Sequence, residues 1–301
     1  MTGIEDERTT GTLAPGLYLV ATPIGNLEDI TLRALRILRS VDRIACEDTR
    51  QTQKLLNHFD IRTPTVSYHM HNEAGRATEL ATALKAGARI AVVSDAGTPG
   101  IADPGGQIAA AAIAAGVPVF PVPGANAAIS ALIASGLPAT GPSGESFTFH
   151  GFLPAKEGQR RTALEALRDS AGSNSSTLIF YEAPHRILDT LADVEAIFGS
   201  EQHVVVAREL TKLHEEFLRG AVAEVRATLV GRPSVRGEIV LLFAPAAKTA
   251  REGKPSSIAA EVRELMKTQG LDEKDALKQV ARARGIGKSD AYRELQRERG
   301  K

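Results

Sequence analysis

Residues 93–106 (VSDAGTPGIADPGG) contain four glycines, two prolines and two carboxylates in fourteen positions. Glycine permits positive φ angles and close approach of the backbone to a ligand. Proline removes an N–H donor and keeps its carbonyl, so the segment is rich in hydrogen-bond acceptors and poor in the donors that a phosphate needs. It lacks the lysine of the pattern GxxxxGK[ST], and no GxGxxG follows the first predicted strand. Phosphate-loop and dinucleotide-binding sites are therefore disfavoured.

A ligand with a positive centre and with amine or hydroxyl donors suits this loop better. S-adenosylmethionine has these properties in its sulfonium, its α-amino group and its ribose hydroxyls. A tight structural turn explains the same composition without any ligand. Within the loop, Asp103 stands directly before Pro104, which is the pattern of a helix N-cap followed by a first-turn proline. We therefore predict that Asp103 begins the next helix.

Short apolar runs alternate with amphipathic segments along most of the chain, and this pattern predicts a mainly parallel sheet covered by helices on both faces. In the first half, strands are predicted at residues 17–21, 41–45, 65–68, 89–93 and 117–120. After the loop-like segment 136–146, only one helix is predicted among the last three strands, and this pattern indicates a mixed sheet. These strands are predicted at residues 204–208, 215–219 and 237–243. We expect two α/β domains, at residues 15–135 and 136–247.

A third, helical domain is predicted at residues 254–299. Its helices are expected at residues 258–267, 272–283 and 289–297. The glycine turn GIGK precedes Ser289, which we predict as an N-cap, so the segment has the outline of a helix-turn-helix. Residues 248–301 contain 14 lysines and arginines against 9 acidic residues, which leaves 22 against 27 for the rest of the chain. A basic tail on an acidic body favours a polyanionic partner.

Composition narrows the class of protein further. Of 301 residues, 43% are hydrophobic, enough for a large core, but no run approaches the ~18 apolar residues that span a bilayer. The amino terminus is polar and acidic, unlike a signal peptide, so we expect a cytoplasmic protein with no membrane association. The single cysteine, Cys46, is expected to be a packing residue. Cysteine and histidine spacing gives no metal-ligand cluster, so no metal is expected.

Seven segments occur in an order that resembles a known family. They are TPIGNLEDIT (22–31), CEDTR (46–50), SDAGTPGIADPG (94–105), PVPGANAAISAL (121–132), GFLPAK (151–156), FYEAPHR (180–186) and ARELTK (207–212). These segments are similar to those of the ribosomal RNA small subunit (cytidine-2′-O)-methyltransferases, part of the tetrapyrrole methylase, or class III methyltransferase, superfamily. The resemblance covers about residues 17–243, and the tail resembles the small helical domain that this family carries.

The resemblance implies a two-domain tetrapyrrole-methylase-like fold with S-adenosylmethionine in the cleft between the domains, and a homodimer. It implies methylation of the ribose 2′-oxygen of a cytidine in 16S ribosomal RNA, with the small ribosomal subunit as partner. Carried over by position, the implied cofactor-binding residues are Pro23, Ala96, Gly97, Thr98, Ile101, Asn126, Ala127, Glu182 and Leu210.

Transfer of a methyl group to a hydroxyl depends mainly on positioning, and a general base adds to it. The candidates for this base are Glu47, Asp48, His69, Glu182 and His185. Among them we rank Asp48, His185 and Glu182 as the catalytic residues. A carboxylate at position 48 also suits the cap of the following helix, and His185 also suits an exposed first helical turn.

Phosphate contacts are assigned to basic residues in and after the motifs. They are Arg50, Lys156, Arg160, Arg161 and Arg186 in the body, with Lys278, Arg282 and Lys288 in the tail. For Arg160 and Arg161 a solvated helix face is the alternative interpretation. Two other functions stay open at this point: carbon methylation of a tetrapyrrole, and a non-catalytic nucleic-acid-binding protein that senses a metabolite.

Overall fold

The computed structural model of the chain describes residues 13–68, 73–139, 146–170, 176–245, 257–284 and 286–299. The described residues up to 245 form one compact unit, and those from 257 onward form a second one. The first unit contains two five-stranded sheets with helices packed on them. The predicted α/β fold, with one parallel sheet, one mixed sheet and a helical tail, is therefore confirmed.

The first sheet is entirely parallel, as expected for strands whose sequences are continuous apolar runs. Its strands are β1 (Gly16–Val20), β2 (Arg43–Cys46), β3 (Thr65–Ser67), β4 (Arg89–Val93) and β5 (Val119–Val122). They lie in the order β3-β2-β4-β1-β5, and each neighbouring pair is parallel. The carboxyl ends of β4, β1 and β5 therefore meet side by side at one edge, where open α/β sheets bind their ligands.

Five helices follow these strands: α1 (Leu32–Ser40), α2 (Thr49–His58), α3 (Glu73–Lys85), α4 (Gly106–Ala114) and α5 (Ala127–Ser135). Alternate residues of each strand face opposite sides of the sheet. On β1, Tyr18 and Val20 pack towards α1 and α2, whereas Leu17 packs towards α3 and α4. Cys46 is buried among the first group, which agrees with a packing role.

The second sheet is mixed. Its strands are β6 (Ser146–Phe152), β7 (Ser176–Glu182), β8 (His203–Arg208), β9 (Glu216–Ala221) and β10 (Ile239–Phe243), in the order β6-β7-β10-β8-β9. Only the β6/β7 pair is parallel among the described strands of this sheet. One face is covered by the helices α6 (Glu157–Ser170), α7 (Ile187–Phe198) and α8 (Val222–Val230).

The other face of the second sheet packs against α5, which comes from the first half of the chain. Ala131 and Leu132 of α5 lie in one apolar cluster with Val205 and Leu242 of the sheet. Ile24, from the loop after β1, belongs to the same cluster. The two sheets thus share a core within one compact unit. The division into two α/β domains between residues 135 and 136 stays a prediction.

The second unit consists of α9 (Ile258–Gln269), α10 (Glu273–Ala283) and α11 (Lys288–Arg299) around a small apolar core. Asp272 caps α10 by accepting a hydrogen bond from the N–H of Asp275 at 2.8 Å. The prediction of Ser289 as an N-cap is wrong: α11 begins one residue earlier, and Gly287 supplies the carbonyl that accepts from the N–H groups of Asp290 and Ala291.

Candidate active site

A short antiparallel bridge joins the loops that follow β1 and β4. The N–H of Thr22 donates to the carbonyl of Gly97 at 2.8 Å, and the N–H of Gly97 donates back at 3.1 Å. Ser94 Oγ donates to the same Gly97 carbonyl at 3.1 Å. Gly97 has a φ of 83°, in the left-handed region that favours glycine. The glycine of the motif is therefore required by the backbone conformation of the bridge.

The loop after β5 is tied to the same structure through Thr98. Thr98 Oγ1 donates to the carbonyl of Ala125 at 3.2 Å, and Asn126 Nδ2 donates to Thr98 Oγ1 at 3.4 Å. Asn126 is also the N-cap of α5, because its side-chain oxygen accepts from the N–H of Ile129 at 3.1 Å. Three loops at the carboxyl edge of the parallel sheet thus hold one another in place.

A cavity of about 450 Å³ opens against these loops, between them and the second sheet. Seven predicted cofactor residues line it: Ala96, Gly97, Thr98, Ile101, Ala127, Glu182 and Leu210. Two others do not. Pro23 is half-buried beside Ile24, which does line the cavity, and Asn126 acts from behind the wall by holding Thr98.

Glu182 is the only one of the three ranked catalytic residues among the cavity-lining residues that the structure describes. Its side chain is fully buried and accepts hydrogen bonds from four donor atoms, one of which is Arg186 Nε, 2.9 Å from Oε1. Oε1 accepts from the N–H of Ala183 at 2.7 Å and from Nη2 of Arg186 at 2.5 Å. Oε2 accepts from the hydroxyl of Thr190 at 2.7 Å. This carboxylate is occupied in fixing the turn into α7.

Asp48 caps α2 and binds the neighbouring arginine. Its Oδ1 accepts from the N–H of Arg50 at 2.8 Å, and its Oδ2 contacts Arg50 Nη2 at 2.9 Å. The hydrogen bonds from Arg50 lower the pKa of Asp48 to about 2, so its carboxylate is a weak base. His185 is exposed, before the first turn of α7. Neither residue lines the cavity, and His69 falls outside the described residues.

The prediction that Asp103 begins a helix is wrong. Helix α4 starts at Gly106, its N-cap is Gly105 with a φ of 141°, and no side chain caps it. The carbonyl of Pro104 accepts from the N–H of Gly100 at 3.2 Å, so Pro104 belongs to the loop. Asp103 instead lines the cavity. Burial, followed by the charges of Glu47 and Asp95, raises the pKa of Asp103 to about 6.

Further cavity residues from the second sheet were not predicted from the sequence. Tyr181 lies on β7, Phe152 ends β6, and Glu238 precedes β10. Burial raises the pKa of the Tyr181 hydroxyl. The motif FYEAPHR includes Tyr181, which was a usable signal, whereas nothing local in the sequence marks Glu238.

The charges around the cavity suit a cationic ligand. Five carboxylates line it, from Glu47, Asp95, Asp103, Glu182 and Glu238, and among the described residues no lysine, arginine or histidine does so. The sulfonium and ammonium groups of S-adenosylmethionine are compatible with these side chains. In the part of the chain that the structure describes, no group of three or more histidine, cysteine or acidic side chains could hold a metal ion.

The predicted phosphate-binding residues differ in accessibility. Arg50, Lys156, Arg161, Lys278 and Arg282 are exposed, and Lys288 is the first residue of α11. Arg186 forms an ion pair with Glu182, in which Nη2 lies 2.5 Å from Oε1. The interpretation of Arg160 as a surface residue is wrong, because its side chain is 5% exposed and Nε lies 2.7 Å from Oδ2 of Asp193. It serves as a buried ion-pair partner between α6 and α7.

Comparison with known proteins defines the class to which this fold and cavity belong. The model of the family "Tetrapyrrole (Corrin/Porphyrin) Methylases" matches residues 16–226. The chain belongs to this family, whose members are S-adenosylmethionine-dependent methyltransferases. A solved relative, the uroporphyrin-III C-methyl transferase from Thermus thermophilus complexed with S-adenyl homocysteine, has a TM-score of 0.51 and 19% identity, over 76% of this chain and 97% of that one.

Closer sequence relatives lie in one branch of the family. The ribosomal RNA small subunit methyltransferase I of Halalkalibacterium halodurans is 54% identical over 226 residues, which is 75% of this chain and 74% of the relative. The protein of the same name from Synechocystis is 48% identical over 269 residues, 88% of this chain and 91% of the relative. The resemblance inferred from the seven motifs is confirmed. In addition, no described helix has the length and apolar character required to cross a membrane.

Proposed function

We propose that this protein transfers the methyl group of S-adenosylmethionine to ribosomal RNA of the small subunit, at the ribose 2′-oxygen of a cytidine in 16S RNA. The observation that carries the proposal is the cavity at the carboxyl edge of the parallel sheet, lined by carboxylates and by residues 95–98. Relatives at about half identity over most of the chain bear the name of a small-subunit RNA methyltransferase, which supports this substrate class.

The residues around the cavity fit the cofactor. Gly97 exposes backbone at a point where a Cβ atom would come within 3.3 Å of Ile24 Cγ2. The carboxylates offer partners for positive charge, and Ile24, Ile101 and Leu210 offer apolar contact. When bound, S-adenosylmethionine supplies an electrophilic methyl group. The protein holds the reacting groups in line, which contributes ~7 to 11 kcal/mol to such reactions.

An exposed aromatic side chain supports RNA as the substrate. Phe152 lines the cavity with 57% of its surface exposed, and its ring lies 5.7 Å from that of Tyr181 in an edge-to-face arrangement. Single-stranded RNA is commonly held by stacking of bases on such rings. Lys156 and Arg161, exposed and a few residues further along the chain, are the proposed phosphate contacts on this side.

The test is transfer of labelled methyl groups to small ribosomal subunits from a strain that lacks this protein. Subunits from the parent strain, already modified, are the matched control and should accept little label. Because a 2′-O-methyl group removes the nucleophile of alkaline cleavage, the modified position should resist hydrolysis by alkali. Label without an alkali-resistant linkage would refute the 2′-oxygen as acceptor, and absence of label would refute RNA methylation.

The family's description gives one alternative, carbon methylation of a tetrapyrrole. It is tested in the same assay with a uroporphyrinogen-type substrate in place of the ribosomal subunits. Label in the tetrapyrrole and none in RNA would favour it. Label in neither, with RNA binding intact, would favour a non-catalytic sensor.

We also propose that the protein acts as a homodimer in the cytoplasm. Ile133 and Leu213 are 80% and 93% exposed in the single chain, and a dimer interface is one means of covering such side chains. Light scattering of the purified protein should give twice the mass of one chain, and a monomeric mass would refute the dimer.

A further inference from the structure

The second unit has a groove of its own between α10 and α11. Its volume is about 980 Å³, and it is lined by Glu273, Lys274, Leu277, Ser289, Tyr292 and Arg293. Leu277 belongs to the core of the unit and gives the groove an apolar floor. Tyr292 is 53% exposed, although Ala291 and Leu295 on the same helix are fully buried. The tyrosine ring therefore lines an open groove and does not pack in the core.

The pairing of an exposed ring with an aliphatic floor suits a flat, largely apolar ligand. Unpaired RNA bases have this character, and proteins commonly hold them by stacking them on aromatic side chains. A tyrosine exposes a rigid ring at a small cost in conformational entropy, because its side chain has few rotatable bonds. Tyr292 and Leu277 together thus offer one face for stacking and one for apolar contact.

Positive charge runs along α10 beside the groove. Lys274, Lys278 and Arg282 are spaced by four residues, so they lie on one face of the helix, and all three are exposed. Residues 248–301 as a whole contain 14 lysines and arginines against 9 acidic residues. Phosphate groups on either side of a stacked base would meet this charge, which favours RNA over a protein as the occupant of the groove.

Acidic side chains lie where the two helices begin. Glu273, next to Lys274 in the chain, lines the groove, and Arg293 contacts Asp290 in the first turn of α11. The charge of Arg293 is therefore partly neutralised. We expect the RNA strand to follow Lys278 and Arg282, away from these carboxylates, with only its base in the groove.

We propose that the groove between α10 and α11 binds an unpaired base of RNA, stacked on the ring of Tyr292, while Lys274, Lys278 and Arg282 contact the flanking phosphates. The proposal rests on the proposed function for the identity of its partner. It gives the helical unit a role in holding the substrate RNA, separate from the carboxylate-lined cavity of the first unit.

A fluorescent reporter tests the stacking directly. The chain contains no tryptophan, so Tyr292→Trp introduces a single indole into the full-length protein. A short unstructured RNA should quench its emission, whereas the same RNA annealed to its complement should not, because its bases are already stacked and paired. Met266→Trp, at an exposed apolar position of α9 outside the groove, is the matched control, and its emission should change little with either RNA.

The affinity for the same unstructured RNA separates the ring from the charges. Tyr292→Leu should weaken binding about 5- to 140-fold, the range for the loss of one stacked base, and Tyr292→Phe should bind as the wild type does. The dependence of affinity on salt should be unchanged in Tyr292→Leu and reduced in Lys274→Ala, since only the lysine releases a counterion from the RNA. All three variants should keep the helical circular dichroism of the wild type.

The possible failures are distinguishable. Equal quenching of Tyr292→Trp by single-stranded and duplex RNA, or wild-type affinity of Tyr292→Leu, refutes the groove as a site for an unpaired base. Quenching by RNA-free proteins of the small subunit, with none by RNA, refutes RNA as the occupant and indicates a protein-docking surface. A wild type that transfers no label to RNA, together with quenching of Tyr292→Trp by single-stranded RNA alone, refutes only the proposed function.

Discussion

Arg160→Met tests whether the buried ion pair between α6 and α7 has a structural role. The guanidinium is 5% exposed, its Nε lies 2.7 Å from Asp193 Oδ2, and its Nη1 donates to the carbonyl of Ala155 at 3.3 Å. Methionine retains the apolar stem but leaves a buried carboxylate without its main partner. Removal of one partner of such a pair costs about 3 to 5 kcal/mol. Arg161 Nη1, 3.9 Å from Asp193 Oδ1, compensates in part, so we expect the lower end.

In a unit of this size, a loss of about 3 kcal/mol corresponds to a fall in melting temperature of about 6 to 12 °C. Chemical denaturation with urea measures the free energy directly. Arg161→Met is the matched control: its side chain is 44% exposed, and its effect on stability should stay within about 0.5 kcal/mol. The double variant Arg160→Met/Asp193→Leu should recover much of the stability, because no buried charge is left unpaired. The reasoning is refuted if Arg160→Met is as stable as Arg161→Met, or if it weakens RNA binding without destabilising the fold.

Three further predictions concern the cofactor loop, pH and the tail. Gly97→Ala places a Cβ atom 3.3 Å from Ile24 at a φ of 83°, and it should lower the affinity for S-adenosylmethionine about tenfold or more in calorimetry. The control Gly87→Ala imposes similar strain at a φ of 92°, but in open space and away from the cavity, so it should leave that affinity unchanged. Hydrogen bonds from Arg232 and Arg208 lower the pKa of Glu216 to about 2 from the ordinary 4.5. The stability that this network contributes is therefore complete above pH 4.5 and is lost as the pH falls towards 2. Glu216→Gln should flatten the dependence of the unfolding free energy on pH over that range, and an unchanged dependence would contradict the assignment. Replacement of the exposed Lys278 and Arg282 by alanine should reduce the salt dependence of RNA binding by about one unit of slope per cation, whereas an unchanged slope would exclude these two residues as phosphate contacts.

Local sequence patterns were sufficient to predict the strands, helices and loop that position the site. Apolar runs separated by helices predicted the parallel sheet, and the motif 94–98 predicted a ligand-binding loop that the structure places against the cavity through Ala96, Gly97 and Thr98. Such predictions succeed because strand periodicity, glycine conformations and helix caps depend on neighbouring residues. Asp48 illustrates this point, since the sequence suggested a cap of the helix after β2 and its Oδ1 accepts a hydrogen bond from the N–H of Arg50 at the start of α2.

Asp103 shows where local reasoning failed. An aspartate before proline is a good helix start, but the φ of 141° at Gly105 and the hydrogen bond between Gly100 and Pro104 delay the helix to Gly106. The side chain then lines the cavity. The interpretation of Arg160 as a surface residue failed for a related reason. Helix periodicity cannot show that the carboxylate of Asp193, 33 residues later, binds its guanidinium in the core.

The sequence by itself determined the class of fold, the order of the loops and the family, because these follow from patterns that neighbouring residues create. Tertiary structure alone decided which carboxylates meet in the cavity and which of them have partners. Glu47, Asp103 and Glu238 belong to loops far apart in the chain, and their charges act on one volume only after the two sheets share a core through α5. Burial and electrostatic coupling depend on that three-dimensional proximity. For this reason the sequence alone could not show that Glu182 is held by Arg186 and Thr190, or that burial and neighbouring charges raise the pKa of Asp103.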